Sequence, residues 1–121
     1  MAGSRSLQQD ACDVPLEHLM INAYMDPVIL LETHALQLRE LGARKIGIFG
    51  SAARGTDTPQ SDVDIYVEFA DGMRTYDNFF AMSELLQGIF RKSIDLVTDG
   101  SLSAGKARII LPTVRYASIN P

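Results

Sequence analysis

The chain has 121 residues, 46% hydrophobic and 21% charged, and its 15 acidic against 11 basic side chains leave a formal charge of −4. That length suits one compact domain, and that apolar fraction argues against a disordered or fibrous chain. The acidic balance argues against a dedicated nucleic-acid binder, which needs a basic face for phosphates, but allows a site that handles phosphates through metal ions.

Residues 1–14 read as a flexible leader whose opening MAGSRS resembles a tag, and residues 15–121 as a single domain. The single cysteine, Cys12, can make neither an internal disulfide nor a cysteine zinc site alone. No window approaches about 18 consecutive apolar residues, and the leader lacks the apolar run of a signal peptide, so a cytoplasmic location is expected. Leu16, Leu19, Met20 and Ala23 recur at helical spacing. Asp26-Pro27 then opens a second helix, predicted to run to about Leu41, with Val28, Leu31, Ala35, Leu38 and Leu41 on one face and Gly42 as its stop. Ile46 to Phe49 is a short apolar strand ending at Gly50-Ser51, and Ser51 to Arg54 reads as a helix start before the polar loop Gly55–Ser61.

The clearest strand is Asp62 to Phe69, where Val63, Ile65, Val67 and Phe69 alternate with Asp62, Asp64, Tyr66 and Glu68. After the Asp71-Gly72 turn, Thr75 to Phe90 is predicted to be a helix with Phe79, Met82, Leu86 and Phe90 inward. Ile94 to Val97 alternates again as a third strand. Ser101 to Pro121 holds Ile109, Ile110 and Leu111 before Pro112 and shows no clear period. The fold class is α/β, with helices expected on one sheet face and the acidic strand face left free.

Because strand side chains repeat every two residues, Asp62 and Asp64 project from the same side, about 6.5–7 Å apart at Cα. Two carboxylates so placed suit magnesium, which takes few protein ligands and completes its shell from water and phosphate. Asp95, between apolar Ile94 and Leu96, is the candidate third acid. Gly50-Ser51 at a strand-to-helix turn presents backbone N–H groups and a hydroxyl to an anion. Arg54 is placed to reach a phosphate or to pair with a nearby acid.

The run Gly50-Ser51-Ala52-Ala53-Arg54-Gly55, followed by Ser61-Asp62-Val63-Asp64-Ile65 and then Ile94-Asp95-Leu96-Val97, closely resembles the minimal nucleotidyltransferases (MNT) of the DNA polymerase beta superfamily. The resemblance covers about residues 28 to 100 and implies a mixed, mostly antiparallel sheet flanked by helices. It further implies that Gly50 and Ser51 hold a triphosphate while Asp62, Asp64 and Asp95 bind two magnesium ions and act in catalysis. The implied reaction is transfer of AMP from ATP to an acceptor hydroxyl. Minimal members commonly serve as antitoxins paired with a HEPN-domain toxin, so the implied acceptor is a tyrosine of that partner ribonuclease. The alternatives are a non-catalytic antitoxin that occludes its partner, and transfer to a small-molecule hydroxyl.

Other residues read more plainly. His18 and His34 lack a carboxylate or cysteine at ligand spacing, so solvated or capping roles are expected. Tyr66 either lines a nucleotide pocket or is an ordinary strand-face tyrosine. Lys106, Arg108 and Arg115 make the C-terminal stretch net positive, which meets an acidic partner or simply solvates the chain end.

Overall fold

The computed structural model describes residues 26–120, so the leader and the helix expected around Leu16–Ala23 lie outside the described residues. Asp26 caps the first described helix, α1 (Pro27–Glu32), by accepting from the Val28 N–H at 2.8 Å. The single helix expected up to Leu41 is instead two, α1 and α2 (Ala35–Glu40). The break has a local cause. The Thr33 hydroxyl donates to the Leu30 carbonyl at 2.7 Å and His34 Nδ1 lies 3.0 Å from the same oxygen, so side chains take an acceptor that the helix ladder would use. The apolar spacing survives the break, since Leu31 and Leu38 are both fully buried.

Four strands follow the order β3-β2-β1-β4. β1 (Ala43–Phe49) pairs antiparallel with β2 (Val63–Phe69), as does the two-residue β4 (Arg115–Tyr116) on its other side. β3 (Ile94–Thr98) lies parallel to β2. The sheet is therefore mixed and mostly antiparallel, as the resemblance implied. Between the strands run α3 (Gly50–Arg54) and α4 (Tyr76–Phe90); a 3-10 turn (Asp99–Ser101), α5 (Ala104–Ile110) and a second 3-10 turn (Leu111–Thr113) lead to β4.

One sheet face makes the core. Ile46, Ile48, Ile65 and Val67 meet Leu31 and Leu38 of the first helices and Met82 and Leu86 of α4, all fully buried. Each such side chain contributes about 1.5–3 kcal/mol by leaving water. Phe79, expected inward, is only half-buried, whereas Ile89 joins the core beside Phe90.

The acidic face is left free only in part: Asp62 and Asp95 are exposed, while the stretch around Tyr66 is covered. Cross-strand pairing sets Lys45 beside Glu68, Gly47 beside Tyr66 and Phe49 beside Asp64 on this face. Tyr66 is only 2% exposed, donates its hydroxyl to Glu68 Oε2 at 2.9 Å, and meets the Tyr116 ring edge-on at 6.4 Å. Gly47 makes this closure possible: a Cβ there would stand 2.5 Å from Val114 Cγ1 and 2.7 Å from the Arg115 carbonyl. The stretch without a clear period in the sequence thus folds back over the face that carries the aspartates.

Candidate active site

The strand positions of the aspartates follow from register. Asp64 and Asp95 are direct partners across the parallel β2–β3 pair, so their side chains share a face, and Asp62 stands two residues before Asp64 on the same side. Asp62 immediately precedes β2 and is exposed, Asp64 is half-buried, and Asp95 is exposed. None of the three forms an ion pair among the described residues.

Asp64 carries the electrostatic load of this arrangement. Burial raises its carboxyl above the usual carboxylate range, and the nearby negative charges of Asp95 and Asp62 raise it further, against a weaker lowering by Arg54. A carboxylate held up by burial and by two like charges is a group that a divalent cation would relieve. The donor set of hard oxygens suits magnesium. As the side chains stand, no three His, Cys, Asp or Glu among the described residues converge into a ready-made metal cluster. What the backbone supplies is the paired Asp64 and Asp95, with Asp62 at the strand head.

Gly50 fits against this group. Its φ of +69° lies in the left-handed region, and a Cβ there would strike the Asp64 carboxylate, with Oδ2 the nearest atom. Only glycine therefore lets the β1–α3 turn press onto Asp64. Arg54, at the end of α3, is exposed and near enough to act on Asp64, which places it between the two roles expected of it.

A further device was not legible in the sequence. Lys92, at the end of α4, binds Asp57 Oδ2 at 3.0 Å and the Thr58 carbonyl at 3.1 Å, pinning the polar loop that leads to Asp62. Within that loop the Thr58 N–H donates to Ser61 Oγ at 2.9 Å, and the Ser61 N–H donates to the Thr58 carbonyl at 3.0 Å. The Val63 N–H then donates to the Ser93 carbonyl at 3.0 Å, continuing the β2–β3 junction next to Asp62.

Beside Asp95 a cavity of about 420 Å³ opens between the sheet and α5, with Phe49 and Val97 on the sheet side and Ile109 and Ile110 on the helix side. Tyr66 is not among its lining residues and is buried against Glu68 and Tyr116. His34 likewise sits at the N-terminal boundary of α2 with its ring turned to the Leu30 carbonyl. Arg115 is spent within the chain, on Asp26 Oδ2 at 2.8 Å.

A mixed sheet flanked by helices, with a glycine turn pressed onto a strand aspartate, agrees with the nucleotidyltransferase resemblance carried by the sequence motifs. The nucleotidyltransferase-domain family model matches residues 31–116. A protein adenylyltransferase, MntA, of Thermococcus cleftensis is 39% identical over 88 residues, covering 72% of this chain and 88% of the relative. A candidate protein adenylyltransferase of Methanocaldococcus jannaschii is 38% identical over 74 residues, 60% of this chain and 85% of the relative. Among solved structures, a candidate minimal nucleotidyltransferase superposes with a TM-score of 0.61 at 22% identity, over 91% of this chain and 98% of the other. A toxin–antitoxin complex crystallised with AMP-PNP gives 0.55 at 24% identity, over 70% of each chain. The chain belongs to the nucleotidyltransferase-domain family.

Proposed function

We propose that this nucleotidyltransferase is the antitoxin of a toxin–antitoxin pair and moves AMP from ATP to a tyrosine hydroxyl of a HEPN-domain toxin. The observation that carries the transfer reading is the Asp64–Asp95 register with Gly50 pressed against Asp64. The antitoxin role is supported by the likeness to a protein adenylyltransferase and to a toxin–antitoxin complex.

In this reading Gly50 and Ser51 hold the triphosphate through the turn, and Arg54 adds a cation beside it. Asp62, Asp64 and Asp95 would hold two magnesium ions, which when bound neutralise triphosphate charge and favour the deprotonated acceptor hydroxyl. The acceptor oxygen attacks the α-phosphorus in line, a new O–P bond forms, the bond to the β-phosphate bridging oxygen breaks, and pyrophosphate leaves. Asp95, which like Asp62 is exposed, takes the acceptor's proton directly or through one water. The buried sheet beneath keeps the strand aspartates fixed, so most of the rate comes from positioning and charge placement. Adding AMP to the toxin disables it through bulk and negative charge.

Intact mass spectrometry tests this directly. The protein is incubated with ATP, magnesium and its candidate toxin, and the toxin is expected to gain AMP units on tyrosine. Asp64→Asn and Asp62→Ala are expected to abolish the gain. A toxin that is inhibited in a stable complex yet keeps its mass would refute transfer in favour of occlusion.

A further inference from the structure

The cavity beside Asp95 has a definite place along the substrate path. Gly50 and Ser51 follow the end of β1, which antiparallel pairing puts beside the beginning of β2, near Asp62. Val97 and Ser101 lie the other way, toward the end of β3, which runs parallel to β2. The cavity therefore begins at Phe49, next to the glycine turn and in register with Asp64, and at Asp95, and runs from there toward the end of β3. A substrate with its phosphates at Gly50 and its α-phosphorus over the aspartates continues into the cavity.

Its size and walls match what would arrive there. At about 420 Å³ it falls within the usual range for small-molecule pockets and would be left mostly empty by a single phenol ring. Phe49 and Val97 form one apolar wall, and Leu102, Ile109 and Ile110 form the other, a slot suited to a flat heterocycle. Polar side chains in it are few. Ser101 is engaged, donating to the Thr98 carbonyl at 2.9 Å and accepting from the Thr98 N–H at 3.1 Å. Lys106 lines the cavity and has no ion-pair partner among the described residues, and its ammonium can only donate.

We infer that this cavity seats the nucleoside of the triphosphate, and that it selects purines by shape and stacking without distinguishing adenine from guanine. The inference rests on the nucleotidyl-transfer reading for the position of the phosphates. Adenine and guanine share an N7 acceptor, to which a donor such as the Lys106 ammonium is suited, and reading adenine's exocyclic amino group calls for an acceptor. Asp95 is the one uncommitted side-chain acceptor in the cavity, and the transfer reading gives it to the metal and the nucleophile. Sites that hydrogen-bond a distinguishing group reach discrimination of about 10⁴–10⁵-fold, whereas apolar pockets stay near 10–200-fold per group.

Calorimetric titration of the full chain with magnesium and non-hydrolysable analogues of ATP, GTP and CTP tests the inference, with magnesium tripolyphosphate as the probe lacking a nucleoside. The two purine analogues are expected to bind within about 10-fold of each other and the pyrimidine at least about 10-fold more weakly. Val97→Phe, which fills the slot, is expected to weaken both purine analogues at least about 10-fold while leaving tripolyphosphate unchanged. Ile110→Glu on the helix wall gives the same readout should the first variant fail to fold. A preference above about 100-fold between the purines would overturn the inference. So would variants that keep nucleotide affinity but raise the KM for the protein acceptor, since the cavity would then belong to the acceptor. A chain that binds purines as described but transfers nothing refutes the transfer reading alone.

Discussion

Replacing Gly50 by alanine separates the two demands that the β1–α3 turn makes on its glycine. The first demand is conformational: at φ +69° a residue with a Cβ costs about 1–2 kcal/mol. The second is steric, because the new Cβ would meet the Asp64 carboxylate and stand 3.1 Å from its Cγ, so the short side chain must rotate away at about 0.5–1.5 kcal/mol. The sum is about 2 kcal/mol, which for a domain of this size lowers Tm by roughly 8–16 °C. Gly72→Ala is the matched control, since its φ is +77° and a Cβ there meets nothing within 4 Å. It shares the backbone cost alone, about 1 kcal/mol and roughly 4–8 °C. The site should feel only Gly50→Ala: a displacement of Asp64 near 1 Å lowers kcat by about 100-fold, while Gly72→Ala keeps wild-type transfer. Thermal unfolding and toxin adenylylation, measured below the unfolding range of both variants, decide the matter. A Gly50→Ala protein with wild-type kcat and the Tm of Gly72→Ala would show that the turn does not position Asp64.

Asp64 itself has an opposite signature. Its folded carboxyl is raised, so the metal-free protein loses stability as pH climbs from the unfolded value near 3.8 through the folded one. Asp64→Asn is therefore expected to raise Tm at neutral pH in EDTA while abolishing transfer; an unchanged or lower Tm would contradict the repulsion argument. Asp26 behaves in the reverse sense. The hydrogen bonds from Arg115 and the Val28 N–H lower its carboxyl, so its contribution is present above pH 3.8 and fades as pH falls through the folded value. Because the pair is exposed, Arg115→Met should cost under about 1 kcal/mol at neutral pH, with the difference from wild type vanishing in acid unfolding scans.

How far the sequence carries the fold depends on how one-sided each element is. β2 was plain because Val63, Ile65, Val67 and Phe69 are all buried, so alternation maps directly onto burial. The split of the first described helix was not, because the apolar spacing of Leu31 and Leu38 continues across it. The break comes from Thr33 and His34 competing for one carbonyl, a local hydrogen-bond event with no hydrophobic trace. α5 and β4 were missed for a different reason. No residue of α5 is fully buried and β4 has only two residues, both exposed, so neither leaves a period to read.

The same contrast divides the site. Glycine and aspartate at Gly50, Asp62, Asp64 and Asp95 are legible because strand geometry dictates which side each faces, and a motif made of backbone constraints survives in one dimension. The contact from Lys92 to Asp57 joins residues 35 apart, and the cavity depends on α5 standing off the sheet, so both exist only once the chain has folded. This bears on the charge of the protein as well. Residues 56 to 77 carry six acids against one base, and the fold draws three of them into different service. Asp57 fastens the loop through Lys92, Glu68 accepts from Tyr66 and Arg44, and Asp64 is left half-buried without an ion pair among the described residues. Asp57 and Glu68 are thus paired, whereas Asp64 stands beside the like charges of Asp62 and Asp95, an arrangement that costs the fold stability. A divalent cation held there would offset that cost, so under the proposed function magnesium with a triphosphate analogue is expected to raise the Tm of this domain.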